Sequence, residues 1–487
     1  MEKKSSFNFL HIINKSCSKF KNKVFIDDQK EKKTFQEFYT ESKKFRDFLI
    51  SNSNTKHPIV CILETKKFYD YVAIIGTLMA GGYYIPIHNQ TPRDRIKIIL
   101  SQTKANFFFS SRKLKFSKIT KNHLEYIFPK DIIIKGSLPQ KKYKNSNISY
   151  VMYTSGTTGN PKGVIITKKN LNNYIKWLLK RLKVNSNDNI SQFISICFDV
   201  SICDFFLALC QGSRLILPNK LDYFFPARMI KKNQISHLVC TPSLIDQIDN
   251  TKELKKNFFK NLKSIFFCGE PLYKKQVEKI FKANKKILIT NAYGPTETTV
   301  SVSSSLINKD NYKKLSLKSM SIGKANINNE IVLLDKNLKR KNEGEIFIAG
   351  KQVSPGYLNQ SHETKNKFIL INKKRFFKTG DLGKLFKGNF FFEGRIDDQV
   401  KFRGHRVELE EINFFLRKFG FNNVVTILKK NKLISFIQGR KRNNNKINFF
   451  LSKNIENFKI PSIYIFLKKF PINKNGKINK KKLFNYA

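Results

Sequence analysis

Acidic residues are scarce in this chain: 36 Asp and Glu stand against 92 Lys and Arg in 487 residues, a formal charge of +56 at neutral pH. An excess of that size invites a nucleic-acid reading. The distribution argues otherwise, because the basic residues run from Lys3 to Lys482, interleaved with Asn, Ile and Phe, and gather into no single arm. That pattern matches the drift of an AT-rich coding sequence and predicts no specific nucleic-acid partner, although acidic partners are favoured in general. Cysteine is sparse too. Cys17, Cys61, Cys197, Cys203, Cys210, Cys240 and Cys268 stand singly, with no CxxC pair, which excludes a disulfide framework or a zinc site and suits reduced thiols in a cytoplasm. Long apolar runs are missing. The longest, YVAIIGTLMAGGYYIPI, is broken by glycines, and nothing reaches the roughly 18 apolar residues of a membrane helix. The N-terminal MEKKSSFNFLHIINKSCSKF interrupts its apolar residues with Asn, His and Lys, which argues against a signal peptide. These absences predict a soluble, cytoplasmic protein with no transmembrane segment.

What is present is ample for a folded interior: 40% of residues are hydrophobic and 13% aromatic, and the length predicts two or more domains. HPIVCILE, ANFFFSS, SIFFCGEPL and KKILITNAYGPTE read as buried strands, with helical patterns in YVAIIGTLMAGG and YKKQVEKIFKAN. Repeated strand–helix–strand units predict an α/β protein with largely parallel sheets, whose ligands gather at the carboxyl ends of strands. Between residues 340 and 400 the texture changes to glycine-rich short strands (GEIFIAG, FFKTGDLGKL, NFFFEGRIDDQV), and a basic segment of about ninety residues follows. A boundary is expected near Asp397. KRNNNK near residue 440 is expected to be a solvated loop.

YTSGTTGNPKGV, from Tyr153 to Val164, concentrates glycines and hydroxyls around one lysine. It does not fit the Walker pattern, since Lys162 is followed by Gly163 and Val164. A different phosphate cradle is implied, in which Gly156, Gly159 and Gly163 expose backbone amides, Ser155, Thr157 and Thr158 add hydroxyls and Lys162 adds charge. The competing reading is a polar hairpin turn.

Four further motifs follow in order: NAYGPTETTV, FFKTGDLGKL, GRIDDQVKFRGHRVELEEIN and FPINKNGKINKKKL. Together the five resemble the adenylate-forming superfamily of acyl- and aminoacyl-activating enzymes, a likeness running from about Thr34 to Leu483. The resemblance implies a large N-terminal adenylation core of packed α/β sheets plus a small β-barrel region over residues 1–396, and a small mobile α+β domain over 397–487. It implies ATP and Mg²⁺. Glu297 would hold the metal, Tyr293 would stack on adenine, and Asp381 would accept from the ribose hydroxyls with Arg395 nearby. Asn291, Ala292, Gly294 and Thr296 complete the nucleotide-binding set with the loop residues Ser155 to Gly159. Thr154, Lys162 and Lys477 are the implied catalytic residues, Lys477 neutralising the pentavalent transition state. Asp397 matches the hinge, and Gly404 the lining of a thiol tunnel. His405 tempts as a base, but spacing supplies no geometry for one.

By the same resemblance, CFDVSICDFFLAL separates two substrate classes. Amino-acid-activating members carry an aspartate in FDxS to pair with the substrate ammonium, and Asp199 stands there; acyl-CoA synthetases, the alternative, do not. A carboxylate in an apolar pocket calls for a cation, whereas the bland reading makes Asp199 a helix cap. Val200, Cys203, Val239, Phe266, Cys268, Ala292, Val300 and Ser301 match the positions facing the substrate side chain. None is charged, so a small or medium uncharged amino acid is implied. FFCGEPL and CTPS are most similar to D-alanine–D-alanyl carrier protein ligases, which puts D-alanine among the candidates, while Val200, Cys203, Phe266 and Ala292 depart from that pattern. The chain ends ten residues after Lys477, so the implied acceptor is a separate acidic carrier protein with a phosphopantetheine arm. The approach to the last motif is shortened to IENFKIPSIYIFLKKF.

Overall fold

Short runs of β-branched and aromatic residues, bounded by Gly, Pro and Asn, become strands, and the amphipathic stretches between them become helices. The computed structural model describes residues 8–53, 55, 57–112, 124–129, 132, 146–156, 159–255, 258–402, 404–471 and 478–486. It is an α/β protein that divides into two compact units. One comprises residues 1–88, 105–152 and 164–396; the other comprises 89–104, 153–163 and 397–487.

In the first unit a nine-stranded sheet carries a parallel run in the order Leu288–Tyr293, Ser264–Phe267, His237–Cys240, Asn189–Gln192, Arg214–Ile216 and Val24–Asp27. Ser303–Ile307 and Lys324–Ala325 extend one edge antiparallel, and Lys32–Thr34 the other. Helices such as Ser201–Gln211 and Lys274–Ala283 follow their strands as crossovers. Because the strands run parallel and in register, Val239 lies beside Phe266, and Phe267 beside Asn291. Their carboxyl ends therefore share one edge of the sheet, where ligands of such sheets bind. A six-stranded sheet adds Ile59–Leu63, Tyr83–Ile87 and Phe107–Ser110 as parallel neighbours. The glycine-rich region forms a five-stranded antiparallel sheet. In it Lys374–Phe386 pairs with Asn389–Arg395, placing Asp381 directly opposite Arg395.

The turn after Tyr293 is the most constrained piece of backbone in this unit. Thr299 and Val300 both take positive φ, +59° and +65°, a region that β-branched residues adopt only under constraint. The constraint is Gln352, which is wholly buried. Its Nε2 donates to the carbonyls of Ser301 at 2.7 Å and Thr299 at 3.1 Å. The Thr299 hydroxyl donates back to the Gln352 carbonyl at 2.7 Å. Gln352 is held in turn, its Oε1 accepting from Asn329 Nδ2 at 2.8 Å.

In the second unit the hairpin Gln399–Phe402 and His405–Glu408 leads into the helix Leu409–Lys418. Val424–Lys429, Lys432–Gln438 and Ile463–Leu467 form a three-stranded sheet. KRNNNK is only partly the loop expected from its composition. Asn443 caps the helix Asn444–Ser452, its side chain accepting from the Asn445 amide, because Asn satisfies an orphan helix donor well. The core of this unit also contains an alternating set of charges. Arg95 pairs with Glu411 at 2.6 Å and Glu456 at 3.1 Å, and Lys459 with Glu411 at 2.9 Å and Glu456 at 2.7 Å. All four side chains are buried. Burial alone would raise the Glu456 pKa, but Arg95 and Lys459 outweigh it and bring it down to about 2.

Two outcomes are expected. Gln352→Ala leaves buried carbonyls without a donor and should cost at least about 1–3 kcal/mol. Trp177, the sole tryptophan, lies in the first unit with Gln352, so urea unfolding followed by its fluorescence measures the loss. The depressed Glu456 pKa contributes stability that is complete above the unfolded value near 4.5 and lost as pH falls toward 2. Unfolding midpoints by circular dichroism should therefore drop between pH 5 and 3, with a shallower slope in Glu456→Gln.

Candidate nucleotide and substrate site

The strand Leu288–Tyr293 delivers Tyr293 to the carboxyl edge of the parallel sheet, where its hydroxyl donates to Asp381 Oδ2 at 2.6 Å. Burial and the Asp381 carboxylate push the Tyr293 pKa well above its usual value, so the phenol stays neutral and keeps its proton. Asp381 Oδ1 pairs with Arg395 Nη1, its cross-strand neighbour, and the Asp381 amide donates to Thr379 Oγ1 at 2.9 Å. Arg395 is anchored a second time, to the Thr379 carbonyl at 3.2 Å. The result is a buried carboxylate of fixed orientation beside a half-buried aromatic ring. Such a pair can accept from a diol and offer a flat surface to a base.

Beyond Tyr293 the chain turns sharply. A Cβ on Gly294 would stand 2.6 Å from the Ser301 Cα, so no other residue fits. Thr296–Thr298 form a 3-10 turn that carries Glu297, 1% exposed. Its Oε1 accepts from the Tyr357 hydroxyl at 2.8 Å. Among the described residues no cluster of three or more His, Cys, Asp or Glu could hold a metal alone. A lone oriented carboxylate does fit the protein's usual share of a Mg²⁺ ion that brings phosphate oxygens with it.

Asp199 precedes the helix Ser201–Gln211 and is 7% exposed. The cap position of that helix is Val200, with Asp199 one residue before it. The wholly buried Tyr150 hydroxyl lies within the field of Asp199. Val200, Cys203, Val239, Phe266, Cys268, Ala292 and Val300 belong to one buried apolar cluster, with Ser301 buried at its border. The Cys268 thiol donates to the Val300 carbonyl at 3.8 Å. The eight residues matched to substrate-facing positions thus come from separate strands, one helix and the turn after Tyr293, and all are buried. Asn291 is different: its side chain donates to the Ser321 carbonyl at 2.8 Å and serves to fix the strand end.

Within the second unit, Ser155 Oγ donates to the Arg406 carbonyl at 3.2 Å and accepts from the Glu408 amide at 3.3 Å. Thr154 Oγ1 donates to the Lys162 carbonyl at 3.4 Å. A Cβ on Gly156 would lie 2.1 Å from the Asn160 carbonyl oxygen, and Gly159 takes φ +78° against Phe414, so both glycines are required by the loop itself. Asp397 opens the long C-terminal stretch of this unit, its Oδ1 accepting from the Gln399 amide at 3.3 Å. Thr157, Thr158 and Lys477 lie outside the described residues.

Three residues at these positions were not picked out from the sequence. Gln352 and Tyr357 both fall in GKQVSPGYLNQ, a stretch that belongs to the resemblance, so the signal existed. Tyr174, whose hydroxyl stands beside Cys203 and Ser301, gave none, because an aromatic inside an amphipathic helix reads as ordinary core.

Comparison with known proteins gives the family and the fold. Residues 13–358 match the AMP-binding enzyme family. Gramicidin S synthase 1 of Brevibacillus brevis is 30% identical over 97% of the chain, which spans only 44% of that protein. The D-alanine–D-alanyl carrier protein ligase of Staphylococcus aureus is 30% identical over 92% of the chain and 93% of its own length. Among solved structures, the Vibrio cholerae adenylation domain AlmE, in complex with glycyl-adenosine-5′-phosphate, superposes with a TM-score of 0.86 at 20% identity, over 100% of this chain and 99% of that one. The match over most of the chain, together with the relative covered almost end to end, places this protein in the AMP-binding enzyme family.

Proposed function

We propose that the chain is an AMP-forming ligase that activates a small or medium uncharged amino acid with ATP and passes it to the phosphopantetheine thiol of a separate carrier protein. The observation that carries the reading is the Tyr293–Asp381–Arg395 arrangement, a preset carboxylate and ring suited to a nucleoside. In the first half-reaction a carboxylate oxygen of the amino acid attacks the α-phosphorus of ATP and pyrophosphate leaves. In the second, the thiol sulfur attacks the acyl carbon, its proton is lost, and AMP leaves. Catalysis is mainly positioning and charge neutralisation.

The residues take these parts. Asp381, paired with and aimed by Arg395, accepts from the ribose hydroxyls, and Tyr293 covers the adenine. Glu297, oriented by Tyr357, is the residue that would hold Mg²⁺, whose chemistry is to neutralise phosphate oxygens. By resemblance, Thr154, Lys162 and Lys477 neutralise charge on the phosphates and on the attacking carboxylate. Asp397 is the hinge between the two half-reactions. Asp199 receives the substrate ammonium. Amino-acid and carrier chemistry is supported by the name of the Staphylococcus aureus relative and by Asp199 in its uncharged surroundings. D-Alanine stands among the small amino acids that fit, since one methylene separates neighbours by only about 1–3 kcal/mol.

ATP–pyrophosphate exchange against L- and D-amino acids and short and long fatty acids tests the reading directly. Exchange with a few small amino acids is expected; exchange with fatty acids alone would overturn it in favour of an acyl-CoA synthetase. Asp199→Ala should raise the KM for the amino acid at least tenfold while moving that for ATP far less. Lys477→Ala should abolish adenylate formation yet spare transfer from a supplied aminoacyl-adenylate, measured by thiol loading of a carrier. Equal loss of both half-reactions would contradict the role given to Lys477.

A further inference from the structure

The helix Lys168–Arg181 ends at one wall of a cavity of about 360 Å³ in the first unit. Trp177 and Arg181, four residues apart, line it from one face of that helix. Another wall is the edge of the nine-stranded sheet. There Ser304 and Lys324 are direct antiparallel partners, so their side chains stand on one side. Leu306, two residues along from Ser304, shares that side, and Ile327 adds to the apolar margin. No acidic residue lines the cavity among those described.

What sets this cavity apart in so basic a chain is Arg181. Surplus lysines keep their charged heads in water and need no partner. A guanidinium drawn out of water does need one, because it does not give up its proton and an unpaired charge is costly to bury. Elsewhere the need is met: Arg95 by Glu411 and Glu456, Arg395 by Asp381, and Arg375 by the Ser354 and Pro355 carbonyls. Arg181 Nε is closed to solvent and has no acceptor among the described residues. Burial lowers the Arg181 pKa, and no carboxylate offsets it. Lys324 brings a second positive charge to the same cavity.

We propose that this cavity binds a small organic anion, a carboxylate or phosphate group carried on a short apolar or aromatic body. Arg181 and Lys324 take the charge, and Trp177, Leu306 and Ile327 take the body. The planar fork of a guanidinium matches either anionic group with two parallel bonds. Neither cation belongs to the nucleotide or amino-acid roles given above, so the site stands apart from that reading. It nevertheless abuts the same residues. The Trp177 ring lies 6.4 Å from that of Phe266, and Asn326, also in the lining, donates to the Ser301 carbonyl at 3.1 Å. An occupant therefore touches the supports of two residues matched to the substrate side chain.

Trp177 is the sole tryptophan and lines the cavity, so its fluorescence, excited beyond the tyrosine band, reports occupancy directly. The full chain is titrated with benzoate, phenyl phosphate and inorganic phosphate at constant ionic strength. A saturable change is expected with benzoate or phenyl phosphate, and the tighter of the two identifies the preferred anionic group. Arg181→Gln should weaken that binding at least about tenfold, and Lys324→Gln should weaken it as well. Lys324→Gln, at an exposed position, carries the test alone if the melting temperature shows Arg181→Gln to be unfolded. No saturable change with either organic anion would overturn the proposal. So would binding indifferent to both substitutions, which marks diffuse attraction to a basic chain or occupancy of the nucleotide site. Inorganic phosphate bound as tightly as phenyl phosphate would overturn the part given to the apolar wall.

Discussion

Thr299 and Val300 hold φ values that β-branched residues avoid, and what keeps them there is the side-chain amide of Gln352, bonded to the carbonyls on either side of Val300. The turn so fixed joins two chemistries. Glu297 stands just before it and Ser301 just after, so one buried amide sets the spacing between the two residues to which the proposed function gives metal-bound phosphate and substrate side chain. Strain of this kind, of order 1–3 kcal/mol per residue, persists only where the surroundings over-determine the backbone. Here they do: Gln352 is clamped through its own carbonyl by Thr299 and through its side chain by Asn329. Gly294 permits the close return of the chain onto Ser301. Remove the brace, and the loop can relax toward ordinary φ, carrying both ends of the site with it.

The nucleotide side depends on a simpler device, strand register. Asp381 and Arg395 meet because they are direct partners in an antiparallel pair, and a slip of one residue would turn one of them to the opposite face. The bulge between Leu382 and Gly383 leaves that pairing at the end of the ladder, where the backbone can present side chains to a ligand. Tyr293 reaches the same carboxylate from a different sheet. Two architectures are thereby pinned together through one aspartate, which is why this carboxylate is better preset than a loop residue would be.

Much of this was legible in the sequence. The buried strands were readable from apolar runs closed by turn residues, and Asp381, Glu297, Tyr293 and Asp199 stood in motifs that the family resemblance singles out. What escaped has a common physical cause: its meaning is set by long-range partners. Gln352 is an ordinary polar residue until its amide is seen between the Thr299 and Ser301 carbonyls. Tyr174 is core until its hydroxyl is seen beside Cys203 and Ser301. Asn291, grouped by its motif with the nucleotide-binding residues, is engaged by a backbone carbonyl thirty residues away, and no local pattern reports that. Asn443 lies in a polar run that composition reads as a loop, yet a single capping bond starts a helix there.

The scarcity of acid gives these positions added weight. In a chain so strongly drawn to Lys and Asn, a carboxylate on the surface is easily dispensed with, since exposed ion pairs contribute little. A buried carboxylate is another matter, because its replacement strands whatever cation or donor it faces. Among the described residues Asp199, Glu297 and Asp381 are three of nine buried acids in the first unit, and Glu411 and Glu456 two of three in the second, whereas Arg95 and Lys459 are the buried Arg and Lys. The second pair of acids is accounted for by those two cations in a closed set of ion pairs. Asp381 is accounted for by Arg395. In the proposed function Asp199 takes a substrate ammonium, and Glu297, oriented by the Tyr357 hydroxyl, faces a phosphate-bound cation. Other buried carboxylates serve the backbone: Asp70 accepts from the Thr65 and Lys66 amides, both at 2.7 Å, and so holds the turn that opens its helix.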